Sequence, residues 1–449
     1  LQKEARELDG LLRSADAEFH WVTLPEELSL AEARDAVAAL RTGGLRVRRL
    51  VANRLTPAPD RRCSLCVARR SEQARVLQQA RSLGLPLHTV VEQEGEPRGL
   101  RDLAAVALAL SDPAPERLTR PRRPRATAPI RDTNMPPGVA TGVEDIAPPG
   151  TRLVFFGGKG GVGKTTAAAA AAISIARSGK RVLLLSTDPA HSLGDALVMT
   201  VGDEEREAAP GLRARELDGA RAFQRRRDRY RAAVEELFAT LRGGAPFDAP
   251  FDRAVMEDLI DLAPPGLDEL FALLAVTEAL QRHDVVVVDT APTGHALRLL
   301  ELVATARDWV QMLLQILLKY RRVTGLGELA RDLTETAREL RELQEVLLDS
   351  SRARFVAVTR PAALPRMETA RLLGALRRLR VSAPLVLVNA ITSPGCSLCR
   401  RAAAAEQREI GELRRIRRGW AMLGAPRVAP GPRGAEALDR FGGSWTRIE

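Results

Sequence analysis

Residues Gly158-Lys-Gly-Gly-Val-Gly-Lys-Thr-Thr166 constrain the fold of this chain more than any other stretch. They follow a short apolar run, Leu153–Phe156, that fits a buried parallel strand, and they open an Ala-rich run, Ala167–Ala176, with helical character. Strand, glycine loop and helix in that order meet the G-x-x-x-x-G-K-[ST] pattern in the context it requires. The glycines let successive backbone N–H groups turn inward around phosphate oxygens, and the helix N-terminus adds its partial positive charge. The expected fold class is therefore α/β: a P-loop NTPase with a mostly parallel sheet flanked by helices, plus a helical subdomain. Gly158, Lys159, Gly160, Gly161, Val162, Gly163, Lys164, Thr165 and Thr166 form the expected nucleotide loop. Lys164 is expected to reach the β/γ-phosphates and the Thr165 hydroxyl to ligate magnesium, so ATP and Mg²⁺ are the expected cofactors.

Two more strands end in acidic motifs. Val182–Ser186 runs into Ser186-Thr-Asp-Pro-Ala-His-Ser192, and Val285–Val288 runs into Asp289-Thr-Ala-Pro-Thr-Gly-His295, followed by Leu297-Arg-Leu-Leu300. Carboxylates at the C-terminal ends of parallel strands sit where α/β sheets bind ligands. Asp289 is the natural Mg²⁺ carboxylate, and Asp188 can orient or deprotonate an attacking water. His191 and His295 read as switch-loop hydrogen-bonding residues rather than proton carriers.

The chain also repeats part of itself. Phe19–Thr23 (FHWVT) matches Phe355–Thr359 (FVAVT), each with a nearby Pro (Pro25, Pro361) and then a Glu (Glu32, Glu368). An apolar strand ending in Asn follows in both, Leu50–Asn53 and Leu385–Asn389. The tetrapeptide Cys-Ser-Leu-Cys then occurs at Cys63–Cys66 and Cys396–Cys399, with a Gln after each (Gln73, Gln407) and Pro-Arg-Gly later (Pro97–Gly99, Pro432–Gly434). So many landmarks in one order indicate a tandem repeat whose first copy is truncated and has no phosphate loop. The expected organisation is residues 1–110 for the first copy, 111–150 for a Pro/Arg-rich linker, and 151–449 for the complete copy. The helical subdomain is expected at about 203–280 and 305–350. A chain opening on Leu1 with half a repeat suggests a fragment. The cluster Arg120–Arg125 reads as a solvated run of charge.

The early lysine, Lys159, is not needed by an ordinary phosphate loop. G-K-G-G-V-G-K-T-T resembles the deviant Walker A loop of the dimeric ATPases that include ParA, MinD, the nitrogenase iron protein and ArsA. The two Asp-bearing segments resemble switch I and switch II of the ArsA family, which holds arsenical pump-driving ATPases and the Get-pathway ATPase that targets tail-anchored membrane proteins. The resemblance covers nearly the whole chain. It implies catalytic roles for Asp188, Lys159 and Lys164, with Lys159 crossing a dimer interface to the partner's nucleotide, and it implies Asn389 as an adenine contact. The implied activity is ATP hydrolysis that energises arsenite or antimonite efflux through a membrane transporter. The alternative is an ATP-gated chaperone for a hydrophobic client helix. Either a pseudo-dimer within the chain or a homodimer would serve. A DNA-binding role of the ParA kind fits poorly with the D-T-A-P-T-G-H switch and the cysteines, so no nucleic acid partner is expected.

All four cysteines, Cys63, Cys66, Cys396 and Cys399, belong to the C-S-L-C pairs. One pair supplies two thiolates, whereas a closed zinc site takes four, which two pairs brought together across a pseudo-two-fold axis would provide. Zn²⁺, As(III) or Sb(III) on three thiolates, and metal-free thiols all remain open. Trp309–Tyr320 is strongly apolar, and Leu329, Leu333, Leu340, Leu343 and Leu347 recur at helical spacing, as expected of core and pseudo-dimer contacts. A net charge of +11 suits anionic partners such as nucleotides or lipid headgroups, and equally suits a plain Arg-rich surface. No apolar run reaches the ~18–20 residues of a membrane span. A cytoplasmic location is expected, with peripheral membrane association left open.

Overall fold

The computed structural model describes residues 2–58, 63–93, 96–97, 99–111, 143–188, 192–217, 267–290, 303, 305–316, 326–416 and 420–448, with five isolated positions between 224 and 235. His191, His295, Leu297–Leu300, linker residues 112–142 and most of 218–266 lie outside the described residues.

The first part of the chain runs α1 (Gln2–Arg13), β1 (Phe19–Thr23), α2 (Glu27–Thr42), β2 (Val47–Leu55), α3 (Ser64–Ala80), β3 (Leu87–Val91) and α4 (Gly99–Ser111). Its three strands make a parallel sheet in the order β1-β2-β3. After a short turn of helix, α5 (Val143–Ile146), come β4 (Leu153–Gly157), α6 (Lys164–Arg177), β5 (Val182–Ser186), α7 (Ser192–Leu197), β6 (Arg206–Ala209), β7 (Leu212–Glu216), α8 (Leu267–Arg282) and β8 (Val285–Asp289). The remainder is α9 (Leu326–Leu348), β9 (Ala353–Thr359), α10 (Ala363–Arg378), β10 (Leu385–Ile391), α11 (Ser397–Ile416), β11 (Ala421–Pro426), α12 (Ala435–Gly442) and β12 (Thr446–Ile448). These nine strands form one sheet in the order β12-β11-β10-β9-β4-β8-β5-β7-β6, parallel except at its two outermost pairings.

The central strands are unbroken apolar runs, as strands covered on both faces must be, and every residue of β4, β5 and β8 is buried. One face packs on α6, whose Ala167–Ala172 are all fully buried. Small side chains there let the helix lie close under the phosphate loop. The other face is covered by α8, α9, α10 and the helical residues 305–316, through Leu333, Leu340, Leu343, Trp309, Val310 and Leu313. Of the apolar positions expected to form core, Trp309, Val310, Leu313, Leu333, Leu340, Leu343 and Leu347 do so, whereas Met312 is half exposed.

One expectation is corrected. Residues 203–217, assigned above to the start of a helical subdomain, contain the β6–β7 hairpin. Leu212, Ala214 and Glu216 alternate inward with period two, which is strand periodicity, and β7 extends the sheet beside β5.

The two βαβ runs, β1–β3 and β9–β11, agree in detail. Thr23 pairs with Ala52 and Thr359 with Val388, each one residue before the Asn that ends the apolar strand. Both middle strands break register at the same place, between Ala52 and Leu55 and between Val388 and Ile391. The residue inside each break has a left-handed backbone, Arg54 at φ 64 and Ala390 at φ 60. In each, a side chain from the helix after the C-S-L-C pair accepts the N–H of a following Thr: Gln73 from Thr56 at 3.0 Å and Glu406 from Thr392 at 2.6 Å. The structural counterpart of Gln73 is therefore Glu406, not Gln407.

Candidate functional site

The phosphate loop leaves β4 at the middle of the sheet, where successive strands are laid down in opposite directions, the usual place for a ligand crevice. Two glycines are demanded by what they touch. A Cβ at Gly158 would collide with the carbonyl of Val358 on β9, and one at Gly163, where φ is 91, would collide with the carboxamide of Asn389. That carboxamide donates to Val162 O at 2.8 Å, so the end of β10 pins the loop.

A cavity of about 390 Å³ opens above the loop. Gly160, Gly161, Gly163, Lys164, Thr165, Thr166, Asp188, Ser192 and Asn389 line one side, and Leu24–Ser29 with Glu32 from the first part of the chain line the other. Lys164 is buried. Thr165 Oγ1 lies 3.1 Å from Ser192 Oγ, tying the loop to the segment after β5. Asp188 N–H donates to Ser186 Oγ at 3.2 Å, and Thr187 N–H to Asp289 O at 3.0 Å, which fixes the end of β5 against the end of β8.

Asp289 lies beneath this cavity, fully buried, and neither carboxylate oxygen has a hydrogen-bond partner among the described residues. Burial pushes its pKa up to about 7, with Asp188 and Glu216 adding to the rise and Thr165 and Lys164 opposing it. A buried carboxylate with both oxygens open, beside a threonine hydroxyl, is a donor set that suits a hard divalent cation such as Mg²⁺.

Sequence reasoning did not place Glu32, Ser192 or Arg360 in this site. Glu32 comes from α2 in the first part of the chain, and burial raises its pKa, with Asp188 raising it further and Lys164 lowering it. Arg360, at the end of β9, has a buried Nε without a hydrogen-bond partner. Glu32 and Arg360 had no sequence signal beyond their place beside the recurring landmarks, whereas Ser192 closes the Ser186–Ser192 motif. Lys159 does not line this cavity; it faces a second one between the two parts of the chain.

The four cysteines meet, buried, between the two parts, with all four sulfurs within 4.8 Å of one another. Cys63 Sγ lies 3.7 Å from Cys399 Sγ and Cys66 Sγ lies 3.8 Å from Cys396 Sγ, a reciprocal exchange that places a local two-fold axis through the cluster. Cys66 and Cys399, at 3.4 Å, meet across it. Thiolates around one metal with bonds of about 2.3 Å stand about 3.8 Å apart in a tetrahedron, so the cluster suits a four-thiolate ion. Burial pushes the Cys66 thiol up and Cys399 up to about 11.

The sequence model of the ArsA ATPase family, described as "Anion-transporting ATPase", matches residues 3–112 and 151–445. The chain belongs to the ArsA ATPase family. It is accordingly an ATPase that uses ATP and Mg²⁺. Family members similar to it include "ATPase GET3" of Paracoccidioides lutzii, 29% identical over 314 residues, which are 65% of this chain and 89% of the relative. "ATPase GET3" of Ajellomyces dermatitidis is 28% identical over 316 residues, with the same coverage. "Putative arsenical pump-driving ATPase 2" of Aquifex aeolicus is 32% identical over 251 residues, 54% of this chain and 80% of the relative. Within this ArsA ATPase, no described helix is long and apolar enough to cross a membrane.

Proposed function

We propose that this ArsA ATPase hydrolyses Mg·ATP in the cavity between its P-loop and its own first copy, and that it drives arsenite or antimonite efflux through a membrane transporter from the cytoplasmic side. The observation that carries the reading is that one cavity is lined jointly by Lys164, Thr165 and Asp188 and by Leu24–Ser29 of the first copy. A nucleotide bound there would touch both copies, so binding and hydrolysis can move one against the other.

The roles follow from position. The loop from Gly158 to Thr166 and the buried Lys164 bind and orient the phosphates. Thr165 and Asp289 would hold Mg²⁺, whose charge offsets that building up on the transferring phosphoryl group. Asp188, in the same wall as Lys164, positions the attacking water and takes its proton. Asn389 would stand at the base. The shared strand register supports a tandem duplication, with residues 1–110 the C-terminal part of one copy and 151–449 a full one, joined into a pseudo-dimer.

A second reading has its own observation. Four closely spaced buried thiols suit structural zinc, which would clamp the copies together and would suit a chaperone for tail-anchored client helices. Metal content measured with ATPase activity titrated against antimonite separates the two. Little zinc, with activity rising on antimonite and the rise lost in Cys396→Ser, is expected of the pump. One zinc per chain and a flat antimonite response would reject it in favour of targeting.

A further inference from the structure

Most of the positive charge lining the P-loop cavity is already matched by carboxylates. Arg54, Arg69 and Arg427 face Glu92, and Arg427 also meets Glu406. Arg433 meets Glu27 and donates from Nε to the Asp195 carbonyl at 3.0 Å. Lys164 and Arg360 remain, and neither makes an ion pair among the described residues. The carboxylates in the same wall do not supply one to Arg360. Glu27 is held by Arg75 and Arg433, and Glu72 accepts the Gly431 N–H at 3.3 Å. The charges acting on Glu32 are chiefly Asp188 and Lys164. Glu26 acts on Arg360 more strongly than any other charged group, yet forms no ion pair with it.

Arg360 is held against the phosphate loop by the strand it ends. It follows Val358, whose carbonyl closes on Gly158, and Thr359 on β9. It lines the cavities on both sides of Gly160–Gly161, so it stands beside the crest of the loop. The fold does not need a cation there, because Leu24 follows Thr23 in the matching βαβ run as Arg360 follows Thr359. Its side chain is partly buried, and its buried Nε has no hydrogen-bond partner. Burial holds its pKa below the ordinary arginine value, with Glu26 and Glu92 opposing this and Arg54 and Arg427 adding to it. Arginine stays charged under such a shift. A cation drawn from water without a matched anion destabilises the free protein, and an anionic ligand beside it relieves that cost.

We infer that Arg360 is a phosphate-binding residue of the P-loop site, gripping the phosphate chain of the nucleotide from the β9 side while Lys164 holds it from the α6 side. This rests on the nucleotide reading of that cavity, but not on the choice between pump and targeting. A guanidinium offers a planar fork that matches two phosphate oxygens at once, which a lysine in the same place does not. Arg360 therefore lowers the stability of the ligand-free protein and strengthens its hold on the nucleotide.

Binding titrations and thermal melts of the full chain test this with ATPγS, inorganic tripolyphosphate and adenosine as probes. Arg360→Gln is expected to weaken ATPγS and tripolyphosphate alike, by roughly tenfold or more, and to leave adenosine within about twofold. Arg360→Lys keeps the charge without the fork and is expected to recover part of the loss. The ligand-free melting midpoint of Arg360→Gln is expected to equal or exceed that of wild type, because an unmatched charge has been removed. ATPγS affinity unchanged in Arg360→Gln but lost in Lys164→Ala would overturn the assignment and leave the nucleotide site standing. Wild-type affinity in both variants would overturn the site itself. A lowered ligand-free midpoint, with adenosine weakened as much as ATPγS, would make Arg360 a structural residue and overturn the inference.

Discussion

Asp188 and Asp289 stand at the ends of neighbouring strands, yet their surroundings separate their tasks. Asp289 is sealed under the loop, with burial raising it to about 7, whereas Asp188 lines the cavity that a nucleotide would fill. A carboxylate in the cavity wall can reach water, and a sealed one can only act on a cation beside it. Asp188→Asn keeps the shape and removes the proposed base. It is expected to leave ATP affinity within about twofold, while phosphate release falls roughly a hundredfold or more. Binding titrations alongside steady-state release measure both, and wild-type turnover in the variant would remove Asp188 from the chemistry.

Among the elements, the loop between β4 and α6 works because two strands press on it. Gly158 passes the Val358 carbonyl so closely that a methyl group requires the backbone of β9 or of the loop to move. Overpacking of this kind costs about 1–3 kcal/mol. Gly158→Ala is therefore expected to lower the thermal midpoint and to weaken ATP binding by at least tenfold. Gly160→Ala meets nothing within 4 Å and is expected to leave the midpoint unchanged. Thermal melts of the pair, with and without ATP, compare them, and equal midpoints would mean that the close contact has little energetic weight. The β6–β7 hairpin makes a different point. Its charged outward positions, Arg213 and Arg215, disguise a strand whose inward residues are Leu212 and Ala214.

The first and last parts of the chain meet through ion pairs as well as at the cysteine cluster. Glu92 of the first part faces Arg427 of the last at 3.7 Å, and Arg433 meets Glu27. Burial alone would push Glu92 up, but Arg69, Arg427 and Arg54 together hold it down at about 2, against an ordinary 4.5. A carboxyl depressed in the folded state adds stability that is fully present above about 4.5 and is lost as pH falls towards 2. The shift corresponds to about 3 kcal/mol. Urea midpoints measured from pH 6 to pH 2 are expected to fall steeply for wild type below pH 4.5. They should fall less for Glu92→Gln, which starts from a lower stability because it leaves the half-buried Arg69 and Arg427 without this carboxylate. Parallel acid limbs would show that this junction carries no pH-dependent stability.

What the amino-acid order determined by itself is local. The glycine loop between strand and helix, the acidic strand ends and the apolar runs of the sheet are set by backbone sterics and by side-chain periodicity within a few residues. The recurring landmarks were equally readable, Thr23, Asn53 and Cys63–Cys66 returning in order as Thr359, Asn389 and Cys396–Cys399. Only the tertiary structure decided which groups from distant parts of the chain face one another. It turned Lys159 away from the P-loop cavity, brought Glu32 and Arg360 to its wall, matched Gln73 with Glu406, and crossed the cysteine pairs around a local two-fold axis. Contacts between residues hundreds of positions apart depend on how two packed units meet, and no short-range pattern in the chain encodes that meeting.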